Sequence, residues 1–256
     1  FVAGPTVAGF LVRAVSAPGA LVADALSFLC SGALLGRIRP REPQADGDQG
    51  GITVGLRWIA GSPLVRASLL ATATINFFNF VFWALFLLYA TKTLGVRPGV
   101  LGLVLGAASI GGLIGSVVTG RLSRRMGVGP AFVLGCVLFP APLVLVPLAR
   151  GSYFTVLACL FLAEFGSGFG VMLLDITGNA IKTALVPDRL RARVAGAYMV
   201  VNYGVRPVGA LVGGALGTWI GLQPTLWIAT VGAIFGVLWL LPSPIPRLRE
   251  LPEADE

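Results

Sequence analysis

The sequence predicts an all-α integral membrane protein whose helices cross the bilayer several times. Of its 256 residues, 56% are hydrophobic and only 12% are charged, whereas an ordinary soluble domain carries roughly 25% charged residues. The apolar residues are gathered in runs that are long enough to cross the hydrocarbon core of a bilayer. The basic residues are concentrated in alternate connectors between these runs. Together these observations predict the fold class.

Seven complete apolar runs and one partial run are candidates for membrane-spanning helices. A helix needs about 20 apolar residues to cross a hydrocarbon core of roughly 30 Å. The partial run covers residues 1–12 and has neither an initial Met nor a basic start, so we expect it to be the end of a helix that began earlier. The complete runs cover residues 16–36, 67–90, 100–120, 128–149, 153–174, 194–217 and 222–241.

The basic residues indicate which side of the membrane each connector faces. Cytoplasmic connectors carry an excess of Lys and Arg, so the richer set of connectors and the C-terminus are predicted to be cytoplasmic. The remaining cation, Arg206, lies inside a predicted span. The richer set holds fourteen residues, Arg37, Arg39, Arg41, Arg57, Arg66, Arg121, Arg124, Arg125, Lys182, Arg189, Arg191, Arg193, Arg247 and Arg249, and the other set holds four, Arg13, Lys92, Arg97 and Arg150.

A long connector divides the chain. Its first part is charged and rich in Pro and Gly, which is typical of a flexible loop. Its second part has Ile52, Leu56 and Ile59 at helical spacing with Arg57 off that face, which predicts a short amphipathic helix on the membrane surface. We expect two spans that end a preceding bundle in residues 1–36, a cytoplasmic linker in 37–65, a six-span bundle in 66–242 and a cytoplasmic tail in 243–256.

Four stretches resemble, in order, motifs of the major facilitator superfamily. GPTVAG, with Gly4, Pro5 and Gly9, resembles the Gly-Pro antiporter motif of the fifth span. GLRWIAGSPLVR (residues 55–66) is similar to the helix that leads into the seventh span, and VPDRLRARV (186–194) resembles the loop before the eleventh. GRLSRRMG (120–127) resembles the loop motif repeated in each half. More narrowly, the chain resembles the bacterial exporters of drugs, macrolides and enterobactin.

The resemblance implies a partial major facilitator fold, with the last two spans of the N-terminal bundle followed by the six-helix C-terminal bundle. The first four spans are then missing from this chain, and the family often places proton-coupling acids there. In the loop motif Gly120, Arg125 and Gly127 match, whereas Arg124 occupies the acidic position, so the charge-relay role of that acid does not transfer. We expect these four residues to form a gating loop.

Three charged residues, Asp24, Glu164 and Arg206, lie inside predicted spans, where each costs roughly 2.5–3.5 kcal/mol at a span centre, and a fourth, Asp175, lies near the cytoplasmic boundary of its span. At 1.5 Å per residue, Arg206 lies about 18 Å into its span and Glu164 lies at a comparable depth. Asp24 lies about 12 Å from the outer face, and Asp175 shares a helix face with Glu164. We expect all four to serve transport or proton coupling.

Arg206 is predicted to face the bundle interior and to pair with a carboxylate, Glu164 being the first candidate. A glutamate without a partner would instead be protonated, because burial disfavours the charged form. The alternative is an ion pair that only fixes the register of two helices. Pro207 follows Arg206 directly and weakens the local helix, so a kink there would open Arg206 to an aqueous cavity.

Polar and aromatic residues of the span 67–90 predict a substrate cavity. Asn76 and Asn79 lie on neighbouring helix faces, and five aromatic residues are close in sequence: Phe77, Phe78, Phe80, Phe82 and Trp83. A cavity with aromatic walls and amide hydrogen-bonding groups suits a bulky amphipathic compound. The alternative is that most of these rings contact lipid or the core.

Small residues at four-residue spacing allow helix backbones to approach closely in lipid. They serve either static packing or, as the resemblance implies, surfaces on which helices rock during alternating access. The pairs are Gly102/Gly106, Gly111/Gly115, Ser116/Gly120, Gly209/Gly213 and Gly213/Gly217.

Composition also excludes functional classes. The chain has no His, and its sequence shows neither a nucleophile beside a base nor a metal-ligand cluster, so we predict no enzyme, metal or cofactor. Its cations sit in short connectors rather than on one polar face, which disfavours nucleic acid as a partner.

Together with the resemblance, this composition predicts a proton-coupled exporter of small amphipathic drug-like or siderophore-like compounds in a bacterial plasma membrane. Its partners would be the bilayer, the substrate, the proton and the missing N-terminal spans. The alternatives are an uptake permease of the same fold, or a non-transporting fragment or structural membrane subunit.

Overall fold

The computed structural model describes residues 19, 22–37 and 51–249, in which helices alternate with short connections and no strand occurs. The chain divides into two compact units, Phe1–Gly50 and Gly51–Glu256. The first unit contains helix α1 (Val22–Leu35), which carries Asp24. The predicted antiporter motif, Gly4, Pro5 and Gly9, and the partial span 1–12 lie outside the described residues.

Six helices of the second unit are long and apolar enough to cross a membrane, which confirms the predicted all-α membrane fold. These candidate spans are Pro63–Thr93, Pro98–Met126, Val128–Leu148, Tyr153–Leu185, Asp188–Trp219 and Leu222–Trp239. The helices of the unit are α2 (Ile52–Gly61), α3 (Pro63–Leu88), α4 (Pro98–Met126), α5 (Val128–Leu138), α6 (Leu145–Leu148), α7 (Tyr153–Leu185), α8 (Asp188–Trp219) and α9 (Leu222–Ile234). A π-helical turn (Tyr89–Thr93) extends α3, and 3-10 turns cover Ala141–Val144, Phe235–Trp239 and Ile245–Arg247.

Several helix ends follow directly from the residues there. Pro63 begins α3, at a position where the N–H that proline lacks would have no partner within the helix. Ser152 caps α7, because its hydroxyl oxygen accepts a hydrogen bond of 3.3 Å from the Thr155 N–H. Pro140 and Pro142 follow α5, and because they remove backbone donors, the third span continues as a 3-10 turn into α6.

Glycines bring two helix pairs, α4 with α7 and α3 with α8, into close backbone contact. A Cβ added at Gly115 would lie 2.8 Å from the carbonyl oxygen of Phe169, and one added at Gly213 would lie 2.8 Å from that of Val81. The predicted small-residue packing is therefore confirmed at these positions, where backbones approach within the reach of a methyl group. Gly102 and Gly106 instead have open space around them, so that pair packs against nothing in the described part of the chain.

The segment after α9 belongs to the bundle. Ile245 is fully buried in a cluster with Phe132 and Leu240. The N–H of Gly129 donates a hydrogen bond of 2.9 Å to the carbonyl oxygen of Leu248, which satisfies a donor that the first turn of α5 leaves open. The boundary predicted at residue 242 therefore leaves out a segment, 243–249, that packs on the bundle.

Helix α2 lies against α8 rather than only on a membrane surface. Ile59 is buried, and a Cβ added at Gly55 would lie 2.8 Å from the carbonyl carbon of Arg193. Ile52 and Leu56 remain exposed. The predicted helix is confirmed, but its apolar residues divide between the bundle and the outside, because the glycine lets one side of α2 approach the α8 backbone.

Candidate functional site

Two cavities of about 500 and 520 Å³ lie among α3, α7 and α8. They share five lining residues, Thr72, Asn76, Leu174, Asp175 and Arg206, so they form adjoining parts of one site. Volumes of this size are typical of small-molecule sites. We call the two parts the aromatic cavity and the basic cavity, because Phe80 and Trp83 line the first and Lys182 and Arg191 line the second.

Arg206 lies where the two cavities meet. Its guanidinium carbon is 4.0 Å from the ring centre of Tyr203 and 5.2 Å from that of Phe80, which are cation–π distances. Its Nε is buried without a hydrogen-bond partner. Helix α8 continues through Pro207, and Arg206 faces a cavity as the sequence predicts. The aromatic rings therefore hold this cation at the wall of the site.

The predicted pairing of Arg206 with Glu164 is wrong, because these two residues form no ion pair within the described structure. Glu164 is only 2% exposed and lines neither cavity. Asp175 is the carboxylate that faces both cavities, and it interacts electrostatically with Arg206 and Lys182. Side chains lean toward the N-terminus of their own helix. Since α7 and α8 run in opposite directions, this rule favours Asp175 over Glu164 as the carboxylate near Arg206, although Asp175 forms no ion pair with it in the described residues either.

Glu164 has a buried oxygen without a partner. Its Oε1 accepts no hydrogen bond in the part of the chain that the structure describes. Leu160 and Ala163, close to it on α7, are fully buried in the hydrophobic core. At least one oxygen of the Glu164 carboxyl therefore lies inside the bundle without a partner, and Arg206 forms no ion pair with it in the described residues.

A ladder of polar side chains joins α3 to α8. The Tyr198 hydroxyl lies 2.8 Å from Thr72 Oγ1 and 3.2 Å from Ser68 Oγ. One step further, Asn76 Nδ2 donates a hydrogen bond of 3.0 Å to Asn202 Oδ1. The Lys182 ammonium lies 4.2 Å from the ring centre of Tyr198, so the ladder also places this cation beside the basic cavity.

Sequence reasoning missed this ladder, although a signal for it was present. Its members recur every four residues in two apolar spans, which places each set on one helix face. Lys182, assigned to a connector, lies instead within α7. The two sets are Ser68, Thr72 and Asn76 on α3, and Tyr198 and Asn202 on α8, with Arg206 one further step along α8.

All four residues predicted for a substrate cavity line the aromatic cavity: Asn76, Asn79, Phe80 and Trp83. Asn79 is 6% exposed, and its Nδ2 has no hydrogen-bond partner. The alternative also holds for part of the aromatic group, since Phe82 is buried in the core, where its ring stacks on that of Phe86. The structure thus separates rings that face the cavity from rings that serve packing.

The residues of the predicted gating loop lie at the end of α4, apart from both cavities. Gly120, Arg124 and Arg125 are exposed in its last turns, where cations interact favourably with the helix dipole. Gly127 has φ 96° and separates α4 from α5. A gating role for these residues stays a prediction.

Comparison with known proteins identifies relatives over most of the chain. The family model of the Major Facilitator Superfamily matches residues 68–256. The multidrug efflux pump Tap of Mycolicibacterium fortuitum is 27% identical over 280 aligned residues, which cover 100% of this chain and 62% of the relative. The synaptic vesicular amine transporters of Homo sapiens and Bos taurus are 26% and 28% identical, over 66% and 61% of this chain and 31% and 29% of their own lengths. The chain thus spans less than two thirds of the length of each of these relatives. Since the family model covers well over half of the sequence, the chain belongs to the Major Facilitator Superfamily.

Proposed function

We propose that this chain contributes the C-terminal bundle of a secondary active exporter of small amphipathic compounds. One observation carries the proposal: the cavity among α3, α7 and α8 combines aromatic rings, amides and charged groups inside a membrane-spanning bundle. Such a mixture binds the apolar body and the polar group of one small molecule together. The similarity to a multidrug efflux pump supports export as the direction.

We assign proton coupling to Glu164 and Asp175. A charged carboxylate buried without a partner is costly, so Glu164 is suited to bind and release a proton as its surroundings change. Asp175 faces the cavity, where it is accessible to both substrate and water. In a proton-coupled antiporter, a carboxyl that responds to both ligands links their movements.

Alternating access requires two bundles that rock around a shared site. We therefore propose that a second bundle, to which α1 belongs, completes the transporter. We also propose that the protein lies in a bacterial plasma membrane with its C-terminus in the cytoplasm. The excess of cations in alternate connectors supports this orientation.

Reconstitution into proteoliposomes tests the function. The chain alone and a version extended by the remaining N-terminal spans would each be assayed with a cationic dye, rhodamine 6G, and an anionic dye, carboxyfluorescein, under an imposed pH gradient. If the extended version moves dye in the direction opposite to proton flow, the result supports a proton antiporter. Movement together with protons would favour an uptake permease. Transport by the extended version alone would identify the chain as an incomplete transporter, and no transport by either would refute the proposal.

Glu164→Gln tests the coupling assignment in the same assay. We expect the variant to bind dye but to lose the dependence of transport on the pH gradient, because the amide cannot exchange a proton. Lys92→Gln, an exposed change in the π-helical turn after α3, is the control and should leave the pH dependence intact. Unchanged pH-dependent transport by Glu164→Gln would leave this residue a structural role only.

A further inference from the structure

Two residues that line the aromatic cavity carry buried hydrogen-bond donors without an acceptor. In the described residues, three buried side-chain atoms lack a partner: Asn79 Nδ2, Arg206 Nε and Glu164 Oε1. The first two are donors, and both belong to residues that line the aromatic cavity. The one unpartnered acceptor, on Glu164, lies outside it. Because buried donors without acceptors are unfavourable, a ligand that supplies acceptor oxygens is stabilised at this wall.

The charge balance of the site points to the same kind of ligand. Four charged residues line the two cavities: Asp175, Lys182, Arg191 and Arg206. Arg191 forms an ion pair of 2.5 Å with Asp188, so its charge is already compensated. Two cations then face a single carboxylate, and that carboxylate already interacts with both of them. A ligand cation would meet a net positive wall, whereas an anion would meet the cations that Asp175 leaves uncompensated.

Aromatic contacts hold both cations in place without using their hydrogen-bond donors. Lys182 lies over the ring of Tyr198, and Arg206 lies over the rings of Tyr203 and Phe80. A cation–π contact attracts the charge of a guanidinium without accepting a hydrogen bond from its N–H groups in the plane. The Nε donor of Arg206 therefore stays without an acceptor in the described residues.

We propose that this half of the site binds amphipathic compounds that carry a carboxylate or a similar oxygen anion. The anionic group lies at Arg206 and Asn79, and the apolar body lies against Phe80 and Trp83. This inference rests on the proposed function, in which the cavity is the substrate site. It assigns a substrate class opposite in charge to the amines after which the vesicular amine transporters are named.

Binding of a matched probe set to the purified chain in a neutral detergent tests the inference. The probes share a naphthalene ring and differ only in the polar group: 2-naphthylacetate, its neutral amide and 2-naphthylethylammonium. Equilibrium dialysis gives the affinity of each. We expect the carboxylate to bind at least about tenfold more tightly than the ammonium, with the amide between them. Equal or tighter binding of the ammonium, or no measurable binding of any probe, would overturn the proposal.

Two substitutions locate the preference. Arg206→Gln should remove the advantage of the carboxylate over the neutral amide, while Arg206→Lys, which keeps the charge, should retain part of it. Asn79→Leu should weaken the carboxylate and the amide together, because both supply an acceptor oxygen. Arg121→Gln, remote from both cavities, should change none of the affinities. Thermal unfolding of each variant shows whether it is folded, and a carboxylate preference that survives Arg206→Gln in a folded protein would refute the assignment.

Transport separates this inference from the proposed function. If the extended protein exports rhodamine 6G but not carboxyfluorescein, and the chain prefers the ammonium probe, the exporter stands and the anion preference falls. If the chain binds the carboxylate with the expected ranking while no dye is transported, the exporter falls and the binding preference stands.

Discussion

Gly213 and Gly214 are adjacent glycines of α8 that the structure places in opposite surroundings. A Cβ added at Gly213 would lie 2.8 Å from the carbonyl oxygen and 2.9 Å from the Cα of Val81, whereas one added at Gly214 would meet nothing within 4 Å. The two substitutions to Ala therefore make the same chemical change in one helix. They differ only in whether α3 lies in the way.

The expected difference follows from the contact distance. Ordinary van der Waals contact begins near 3.4 Å, so α3 and α8 must separate by about 0.6 Å to admit a methyl group at Gly213, and overpacking of this kind costs typically 1–3 kcal/mol. Replacing Gly by Ala inside a helix gains roughly 0.5–1 kcal/mol at either position. Gly214→Ala should then be stabilising, and Gly213→Ala should be less stable than Gly214→Ala by about 1–3 kcal/mol.

Thermal unfolding of both variants in the same detergent measures this difference. Each kcal/mol shifts Tm by about 2–4 °C in a chain of this size, so Gly213→Ala should unfold at least about 2 °C below Gly214→Ala. Equal shifts in the two variants would refute the close α3–α8 contact and, with it, the placement of the polar ladder and of Arg206 relative to α3.

Three further variants test other contacts. Tyr198→Phe keeps the ring beside Lys182 but removes the hydroxyl from the ladder. We expect the free energy of unfolding, measured by thermal unfolding, to fall by about 0.5–1.5 kcal/mol. An unchanged free energy of unfolding would show that the ladder contributes nothing to stability. Ile245→Ala should lower the free energy of unfolding by about 2–5 kcal/mol, because Ile245 is fully buried. The control Leu241→Ala, at a side chain that is 61% exposed, should lower it far less. Equal effects of the two variants would contradict the packing of the segment 243–249 on the bundle. Gly55→Leu should displace α2 from α8 and so speed tryptic cleavage within α2. The control Gly61→Leu, at a position with open space around it, should leave the cleavage rate unchanged. Equal cleavage rates in the two variants would contradict the packing of α2 on α8.

The spans could be predicted because crossing a bilayer imposes a minimum apolar length on each helix. The helix ends could not be predicted in the same way. Hydropathy indicates where a helix leaves the hydrocarbon core, whereas a helix ends where its backbone hydrogen bonding stops, and this can be several residues further on. Helix α7 continues to Leu185 and α8 begins at Asp188, and both ends lie beyond the predicted apolar runs. Lys182 was for this reason placed in a connector, although it borders the cavity.

The candidate site was predicted in its composition but not in its pairing. The cavity residues of α3 were visible as polar and aromatic side chains in an apolar span. Which carboxylate shares the cavity with Arg206 depends on the direction in which side chains point from antiparallel helices, and depth along the span does not contain this direction. Depth alone favoured Glu164, whereas the structure turns Asp175 toward the cation.

The docking of α2 on α8 has a mechanical consequence. Gly55 and Ile59 fasten the linker helix to the first turns of the same helix that carries Tyr198, Asn202 and Arg206. Because α8 is one continuous helix, a ligand that displaces Arg206 would also displace the first turns of α8. The linker helix α2, which the sequence predicts to lie on the cytoplasmic side, would move with them. Occupancy of the cavity would then be sensed at the N-terminal turns of α8, where α2 packs.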